Sequence, residues 1–418
     1  MVRGAAPLRL PERVDETGFS GLHELKGNLM YFRDEPEHIT MLRDSIRRFI
    51  EREAPREAVR KWEQDAYFPR TEIFDKLGEM GVMGLTVAEE YGGAGRDIVA
   101  SIAVVEELAK RGCNLAAPYI HCAFYGGLNI SENGSEAQKR DMLPKIARGE
   151  LVFAYGLSEP DVGGDLASVS TTARMTDRGT VVINGTKRWC TAARDADYIF
   201  CLVKSDAELP RYKNLSMILV PTDTPGISIE TIDHSCIRFA ETTDTIFNDV
   251  EVPVDNILGG PEGWNNGWKM LAGPALDVEK LETAASAFGI AAGAVDDAWA
   301  YAQERKQFGK VISAHQAVRH ALVDAKTKLQ ACRHMLYHGA WLAQEGRPCS
   351  VETSMAKLFI ADTAVEIVIE CQRVMGAYGL AVDYDMERYL RDIICFPIVG
   401  GSSNMQRNNI AARLKLAQ

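Results

Sequence analysis

Residues 153 to 192 place the tightest constraint on how this chain folds. An apolar, strand-like run opens the segment and stops at Pro160, which has no N–H to donate to a neighbouring strand. Gly163 and Gly164 follow, and a backbone without Cβ atoms lets the main chain come close to a ligand. We therefore predict a strand that ends in a loop facing a bound ligand.

The second half of the segment predicts another strand beside that loop. An apolar run leads into Asn184-Gly185, a dipeptide typical of tight turns, and Trp189 and Thr191 then follow two residues apart. Because side chains alternate along a strand, both point to the same face. An indole there covers a flat ring such as an isoalloxazine, and the hydroxyls of Ser158 and Thr191 can bond its polar atoms. The alternative is a β-hairpin whose Trp is structural.

Together the two halves resemble the flavin-binding signature of the acyl-CoA dehydrogenase family. In that signature a Leu/Val-Thr/Ser-Glu-Pro-x-x-Gly-x-Asp loop precedes Lys-x-Trp-x-Thr, and both parts occur here in that order and spacing. The resemblance extends from about Glu35 to the C-terminus. It implies FAD as the cofactor, with contacts from Tyr155, Leu157, Ser158, Gly163, Gly164, Trp189 and Thr191. Most members have a Ser at the Gly164 position that contacts the acyl-CoA, so Gly164 is also a predicted substrate contact.

The period of the apolar residues changes twice along the chain. Ile39, Leu42 and Ile46 recur at helical spacing. Residues 198 to 203 begin a series of short strand candidates, and long apolar helix faces return after residue 260. We predict an α+β fold with an N-terminal all-α domain, a middle β-barrel-like domain and a C-terminal four-helix bundle, as in acyl-CoA dehydrogenases. The expected bounds are 1–35 for an N-terminal extension, then 36–150, 151–259 and 260–418.

Composition limits the classes of partner. The net charge of -11 argues against nucleic acid or an anionic membrane as a partner, and we find no apolar run long enough for a transmembrane helix. Nine cysteines occur singly, without a Cys-x-x-Cys pair, which predicts a reduced, cytoplasmic protein. His334 and His338 share a predicted helix face but lack a third ligand, so we predict no metal site.

Two further segments resemble the parts of the family's chains that contact the FAD of a neighbouring subunit. An Arg at the start of a helix can bind an anion, but it can equally belong to a solvated charge cluster. In the family, Arg-x-x-Phe-Gly with a Gln further along contacts the FAD of the adjacent subunit, which implies a homo-oligomer, expected to be a tetramer. The matching positions are Arg305, Phe308 and Gln316. A second cofactor turn aligns as Arg373, Gly376 and Ala377, with Arg and Ala in place of the family's Gln and Gly.

The catalytic base is where the chain departs from most of the family. Removing the weakly acidic α-proton of an acyl thioester takes a carboxylate whose pKa burial has raised. Most members supply a Glu in a turn near the C-terminus, but this chain has Gly400 there, whose N–H can still bond the thioester carbonyl. From the same turn the resemblance assigns Ser402 and Asn404 to the cofactor and Gly401 to the substrate.

The isovaleryl and long-chain members place their Glu on a long helix instead, within a Leu-Asp-x-Glu-Arg segment. The corresponding residues here are Leu276, Asp277, Val278, Glu279 and Lys280, and the spacing to the Arg-x-x-Phe-Gly segment requires no gap. We therefore predict Glu279 as the base, with Asp277 and Lys280 at coenzyme A. The alternative is a solvated Glu that the helix dipole favours in the first turns.

The resemblance implies α,β-dehydrogenation of an acyl-CoA, or of a carrier-bound acyl thioester, with electron-transfer flavoprotein as the electron acceptor. Two alternatives stay open: a non-desaturating flavoenzyme of the desulfinase or enoyl-CoA reductase type, and a non-catalytic FAD- or CoA-binding protein. Tyr119, Phe124 and Tyr125 lie in a helical segment where pocket and core residues look alike, so the sequence does not specify the acyl group.

Overall fold

The computed structural model describes residues 35–238 and 240–416, so most of the predicted extension lies outside the described residues. The α-helices of the N-terminal domain are α1 (Glu37–Glu53), α2 (Arg56–Gln64), α3 (Asp75–Glu79), α4 (Ile98–Arg111), α5 (Cys113–Tyr119), α6 (Asn129–Asn133) and α7 (Glu136–Ala147). The predicted apolar pattern is seen in α1, which buries Ile39, Ile46 and Phe49.

Two π-helical segments interrupt the α-helices of this domain. They span Arg70–Phe74 and Ile120–Leu128, and short 3₁₀ turns occupy Val82–Thr86 and Glu89–Tyr91. The longer π segment follows Pro118 of α5 and leads directly into Asn129, the first residue of α6. Because π-helical turns often occur at functional sites, this segment is a candidate wall of a site.

Seven strands form one sheet in the middle domain: β1 (Phe153–Gly156), β2 (Thr172–Met175), β3 (Thr180–Thr191), β4 (Tyr198–Lys204), β5 (Leu215–Pro221), β6 (Ile227–Thr231) and β7 (Thr242–Pro253). The hydrogen-bonded order is β1-β4-β2-β3-β7-β6, and β5 pairs with β4. β1 runs parallel to β4 and lies at one end of this order. The loop after β1 therefore leaves the sheet, and at Gly164 it meets Met405 of the C-terminal domain.

The Asn184-Gly185 pair does not form the predicted turn, because it lies inside β3. The turn between β2 and β3 consists of residues 176–179 instead, where Gly179 has a φ of +76°. At Gly185 the pairing of β3 with β7 shifts register, and a Cβ there would stand 2.5 Å from the Thr171 hydroxyl. The dipeptide thus marks a β-bulge and a close approach of two backbones.

Long helices build the C-terminal domain: α8 (Gly267–Leu271), α9 (Pro274–Glu304), α10 (Gln316–Gln344), α11 (Ser350–Met375), α12 (Met386–Ile393) and α13 (Ser403–Arg413). The strands β8 (Lys306–Gln307) and β9 (Lys310–Val311) form a hairpin between α9 and α10. α9 packs against α4, α10 and α11, and small residues allow the close approach. A Cβ on Gly289 would stand only 2.6 Å from the Glu106 carbonyl oxygen. α12 was not predicted.

This arrangement of helices, sheet and helices confirms the predicted fold class. Within residues 35–238 and 240–416, no helix has the length and apolar character that crossing a membrane requires.

A buried ion cluster joins α1, α4 and α10. Arg43 contacts Glu106 at 2.8 Å and Glu107 at 2.7 Å, and Arg333 contacts Glu106 at 2.9 Å. The Tyr337 hydroxyl donates to Glu106 at 2.5 Å. Burial opposes ionisation of Glu106, but the surrounding cations outweigh it and lower its pKa to about 2. The negative charges of Glu106 and Glu107 are therefore balanced by the positive charges of Arg43 and Arg333.

Candidate active site

Glu279 lies on the second turn of α9, where residues from all three domains meet. The Tyr155 hydroxyl of β1 and the Asn129 side-chain amide of α6 both donate to Glu279 Oε1, the amide at 3.0 Å. Asn129 also donates to the Tyr155 hydroxyl at 2.7 Å. Oε2 of Glu279 accepts no hydrogen bond from the described residues. One carboxyl oxygen is therefore held in place while the other stays available.

The electrostatic surroundings of Glu279 favour a proton. Burial raises the pKa of Glu279 to about 7, although the hydrogen bonds from Tyr155 and Asn129 partly oppose this rise. No Lys or Arg among the described residues forms an ion pair with it, because the adjacent Lys280 is paired with Asp277 at 2.7 Å. A carboxylate that titrates near neutral pH is suited to take up and release a proton.

The glycine turn near the C-terminus packs against the same part of α9. Gly400 and Gly401 have φ values of +61° and +75°, and a Cβ on Gly400 would stand 2.8 Å from the Thr283 hydroxyl. Thr283 lies one turn after Glu279 and donates to its carbonyl oxygen at 3.0 Å. The buried Lys357 ammonium donates to the Gly401 carbonyl at 2.8 Å and holds the turn there. The structure thus brings the predicted Gly400 close to the predicted base.

Two residues at this site, Asn129 and Glu282, were missing from the predicted set, and a third, Tyr125, was named only as a possible acyl-pocket residue. Tyr125 stacks on Tyr155 with ring centroids 4.0 Å apart and 18° between the planes. Asn129 holds Glu279, and Glu282 places a second buried carboxyl group on α9. Each lies in an apolar helical stretch, so periodicity alone assigns it to the core. Of the three aromatic candidates for the acyl pocket, Tyr119 and Phe124 are fully buried in the core, and Tyr125 is the one beside Glu279.

The predicted flavin bed lies at the ends of β1 and β3. Trp189 has a φ of +66° and is 54% exposed. It occupies an irregularity of β3 between Lys187 and Cys190, so the regular alternation expected for Trp189 and Thr191 does not hold there. The Thr191 hydroxyl lies 3.1 Å from that of Thr242. The bulge leaves a broad indole face on the surface, as covering a ring requires.

The loop after β1 is anchored by Glu159, a residue for which no role was predicted. Glu159 accepts hydrogen bonds from Lys187 Nζ at 2.9 Å and from the N–H groups of Ser170 and Thr171 at 2.7 and 2.8 Å. Lys187 also donates to the Leu157 carbonyl at 3.2 Å. This buried ion pair fixes the loop between the two halves of the signature. The sequence held a signal for it, because the signature has an acidic residue, Glu159, in its first half and a basic residue, Lys187, in its second.

The other loop positions leave room for a cofactor. The Ser158 carbonyl accepts from the Arg188 N–H at 2.9 Å, but its hydroxyl makes no hydrogen bond within the described residues. A Cβ on Gly163 would touch nothing within 4 Å, and one on Gly164 would lie 3.3 Å from the Met405 sulfur of α13. An open backbone, a hydroxyl that bonds no protein group and an exposed indole fit the isoalloxazine of FAD.

Other predicted contacts make bonds within the chain. Asp277 accepts from Lys280 at 2.7 Å and from the Ser350 hydroxyl at 2.5 Å. Ser402 caps α13 by accepting a main-chain N–H bond, and Asn404 is exposed on the first turn of that helix. Asp277 and Lys280 therefore form a fixed pair within one helical turn of Glu279.

The predicted cross-subunit contacts lie at the opposite end of α9. Glu279 and Arg305 are about 40 Å apart along the helix, at 1.5 Å per residue. Phe308, at the tip of the β8-β9 hairpin, has a φ of +51° and is 93% exposed, and Gln316 begins α10. The Arg305 guanidinium lies 5.3 Å from the Tyr378 ring, beside the turn that contains Gly376 and Ala377, while Arg373 pairs with Glu370. Within one chain these residues and Glu279 do not meet.

Comparison with known families agrees with this architecture. The acyl-CoA dehydrogenase N-terminal, middle and C-terminal domain models match residues 36–150, 154–250 and 265–415. The chain belongs to the acyl-CoA dehydrogenase family. It is accordingly an FAD-dependent oxidoreductase that acts on CH–CH bonds, which confirms the predicted family, enzyme class and cofactor. The roles of individual residues stay predictions.

Relatives and solved structures match this chain over nearly its whole length. The probable acyl-CoA dehydrogenase YngJ of Bacillus subtilis (strain 168) is 34% identical over 375 residues, 90% of this chain and 97% of the relative. The caffeyl-CoA reductase-Etf complex subunit CarC of Acetobacterium woodii is 33% identical over 390 residues, 92% of this chain and 99% of the relative. The structure of butyryl-CoA dehydrogenase from Megasphaera elsdenii matches with a TM-score of 0.86 at 29% identity, covering 91% of this chain and 99% of that chain.

Proposed function

We propose that this protein oxidises a short acyl thioester to its α,β-unsaturated product, with Glu279 as the base. The observation that carries the proposal is a carboxyl group with no ion-pair partner among the described residues and a pKa raised to about 7. Tyr155 and Asn129 hold one of its oxygens and leave the other for the substrate. Acyl-CoA is the substrate class that fits the family.

Each group has one task in this proposal. The Gly400 N–H donates to the thioester carbonyl, which makes the α-proton more acidic. Glu279 accepts that proton on the oxygen that carries no hydrogen bond, while Tyr155 and Asn129 keep the carboxyl group oriented. Bound FAD would supply the two-electron acceptor for the hydride that leaves the β-carbon, so that the thioester loses one proton and one hydride in all.

A short acyl group suits the surroundings of Glu279. The Tyr125 ring stacks on Tyr155 there, and Phe124 behind it is fully buried. A long chain would have to displace the Tyr125 ring and lose its aromatic contact. Butyryl-CoA, the substrate named for the Megasphaera elsdenii enzyme, is therefore the first thioester to test.

We also propose a homo-oligomer, a tetramer, that completes each cofactor site. Arg305 lies about 40 Å from Glu279 along α9, and Phe308 lies in the hairpin that follows, so we infer that they contact the flavin of a neighbouring subunit. An exposed Phe308 at a hairpin tip is the side chain expected to enter a neighbouring subunit. Electron-transfer flavoprotein is the proposed acceptor, since the Acetobacterium woodii relative is named as a subunit of an Etf complex.

Reduction of an enoyl-CoA is a second candidate. The same relative is named a reductase subunit, and a Glu279 that is neutral below about pH 7 can return a proton to the α-carbon. In that case the reduced protein converts crotonyl-CoA faster than the oxidised protein converts butyryl-CoA. A non-catalytic FAD-binding protein would hold flavin that neither thioester changes.

Anaerobic titration of the FAD-loaded protein tests the proposal. Butyryl-CoA is expected to bleach the flavin absorbance in the wild type, and Glu279→Gln is expected to slow this by about 10²- to 10⁴-fold. The same variant should exchange α-deuterium of the bound thioester slowly. Glu262→Gln, at an exposed position, serves as the control with normal rates. Normal bleaching and normal exchange in Glu279→Gln would remove the assignment.

A further inference from the structure

The acyl side of the proposed site has a carboxyl group that the proposed reaction does not use. Glu282 follows Glu279 by three residues on α9, and its side chain is 4% exposed. Residues three apart lie on the same side of a helix, and the Thr283 hydroxyl that bonds Glu282 lies 2.8 Å from the position of a Cβ on Gly400, so Glu282 lies near both the proposed base and the glycine turn. Tyr125 stacks on Tyr155, whose hydroxyl holds Glu279. Glu282 therefore belongs to the wall on which the acyl group is proposed to bind.

The Glu282 carboxyl group has little hydrogen-bonding support. Among the described residues its one donor is the Thr283 hydroxyl, 3.1 Å from Oε1, and the same hydroxyl lies 3.0 Å from the Glu279 carbonyl oxygen. Because a hydroxyl has a single proton, it serves only one of these acceptors at a time. The Tyr125 hydroxyl makes no hydrogen bond within the part of the chain that the structure describes. A buried carboxyl group in this state costs free energy until a partner arrives.

No described cation forms an ion pair with Glu282. Lys357 acts on it from a distance, but the Lys357 ammonium donates to the carbonyls of Phe396 and Gly401 at 2.7 and 2.8 Å. Burial, reinforced by the charge of Glu279, raises the pKa of Glu282 well above its usual range. Burial therefore favours the neutral form of this group in the free protein, and a positive charge beside it would favour the ionised form.

We propose that Glu282 selects acyl groups that carry a protonated amine, which it binds through a charge-assisted hydrogen bond. This inference rests on the proposed function, because that function puts the acyl group beside Glu279. An ammonium group supplies both the missing charge and the missing donor. A hydrocarbon acyl group supplies neither and leaves Glu282 buried with the shared Thr283 hydroxyl as its one donor among the described residues. The expected substrates are thioesters of short amino acids, including cyclic ones.

Three CoA thioesters of matched size test this selectivity on the FAD-loaded protein. Cyclopentanecarbonyl-CoA is the neutral member, and pyrrolidine-2-carbonyl-CoA and pyrrolidine-3-carbonyl-CoA each replace one ring methylene with a protonated amine. Binding is measured by the change in the visible flavin spectrum at equilibrium, and the rate by anaerobic flavin bleaching. At least one amine should bind about tenfold or more tightly than the neutral ring, the ratio expected for a hydrogen bond to a charged group.

Matched variants assign that preference to Glu282. Glu282→Gln keeps the side-chain shape but removes the charge, so the preference should vanish while the neutral ring binds as before. Tyr125→Phe should reduce the preference less, because the carboxyl group remains. Glu132→Gln removes a carboxyl group that is paired with Arg96 and should retain the full preference.

The outcomes separate this inference from the proposed function. Equal or tighter binding of the neutral ring by the wild type would overturn the inference, as would a Glu282→Gln variant that weakens all three thioesters alike. If no thioester, butyryl-CoA included, bleaches the flavin, the proposed function fails while the binding ratios still test Glu282. If Glu282→Gln does not fold, Tyr125→Phe and the wild-type ratio decide.

Discussion

Two helices of this protein each carry a pair of Glu residues, and the pKa values of the two pairs shift in opposite directions. On α4, Glu106 and Glu107 are surrounded by Arg side chains, and the pKa of each is lowered. On α9, Glu279 and Glu282 have no such partners among the described residues, and the pKa of each is raised. Desolvation raises the pKa of all four residues, so the difference comes from the neighbouring charges. Carboxylates that are paired with Arg hold helices together, whereas carboxyl groups without a cationic partner are available to a substrate.

The two pairs also respond to pH in opposite directions. The pKa of Glu106 falls from 4.5 to about 2 on folding, so its contribution to stability is present above pH 4.5 and is lost as the pH falls toward 2. The pKa of Glu279 rises from 4.5 to about 7, so its contribution is present below pH 4.5 and is lost as the pH rises through 7. The α9 pair therefore costs stability at the pH where it is proposed to work.

Removing the central cation of the α4 cluster should have the largest effect. Arg43→Met leaves Glu106 and Glu107 buried with fewer partners, and we expect it to lower the free energy of unfolding by about 3–5 kcal/mol. Urea denaturation at pH 7 measures this. Arg48→Met, at an exposed position of the same helix, is the control. A loss below about 1 kcal/mol for Arg43→Met would show that the cluster is not structural.

Neutralising the α9 carboxyl group should instead stabilise the protein. Glu279→Gln is expected to raise the free energy of unfolding at pH 8 by up to about 3 kcal/mol, because the wild type there must ionise a group whose pKa rose from 4.5 to about 7. At pH 4.5 the gain should largely vanish. Urea denaturation of the FAD-free protein at both pH values tests this. An equal gain at both would mean that ionisation is not its cause.

The same pKa should appear in the kinetics. Because the proposed base must be ionised, kcat/KM for butyryl-CoA should fall about tenfold per pH unit below about pH 7. A profile measured from pH 5 to pH 9 with electron-transfer flavoprotein as acceptor would show this limb. A profile that is flat from pH 5.5 to 8 would contradict Glu279 as the base.

The smallest expected effect comes from removing the hydrogen bond from Tyr155 to Glu279, which partly opposes the rise in the pKa of Glu279. Tyr155→Phe removes a donor to Glu279, so the acid limb should move to higher pH. At pH 7 this should lower kcat/KM by about two- to tenfold, the worth of one hydrogen bond. Tyr91→Phe, which removes a surface bond to Glu136, should leave the profile unchanged. A limb shifted to lower pH would reverse the assigned role of Tyr155.

Most of the fold was predictable because helices and strands follow the local spacing of apolar residues along the sequence. The apolar period predicted long helices after residue 260, and α9, which spans Pro274–Glu304, is one of them. The errors occur where tertiary packing overrides local preference. Asn184-Gly185 has the composition of a turn, but the approach of Thr171 and the pairing of β3 with β7 made it a bulge.

The site was predictable in part. The signature around Trp189 and the position of Glu279 follow from motifs of adjacent residues, which one sequence displays directly. Asn129 and Glu282 were not found, and Tyr125 could not be distinguished from a core residue, because each belongs to a stretch with the apolar pattern of a core helix. Their roles depend on which side chains of other domains face them, and spacing along one helix carries no such information.

The sequence by itself determined the order of helical and β domains, the flavin signature and the absence of the usual base, since these depend on residue type and neighbouring positions. The tertiary structure alone decided which buried carboxyl groups have partners. Glu106 and Glu279 are chemically the same residue on buried helices, and one is paired with Arg43 while the other meets Tyr155 and Asn129. Charge interactions act across space between distant parts of the chain, so only the folded arrangement sets each pKa.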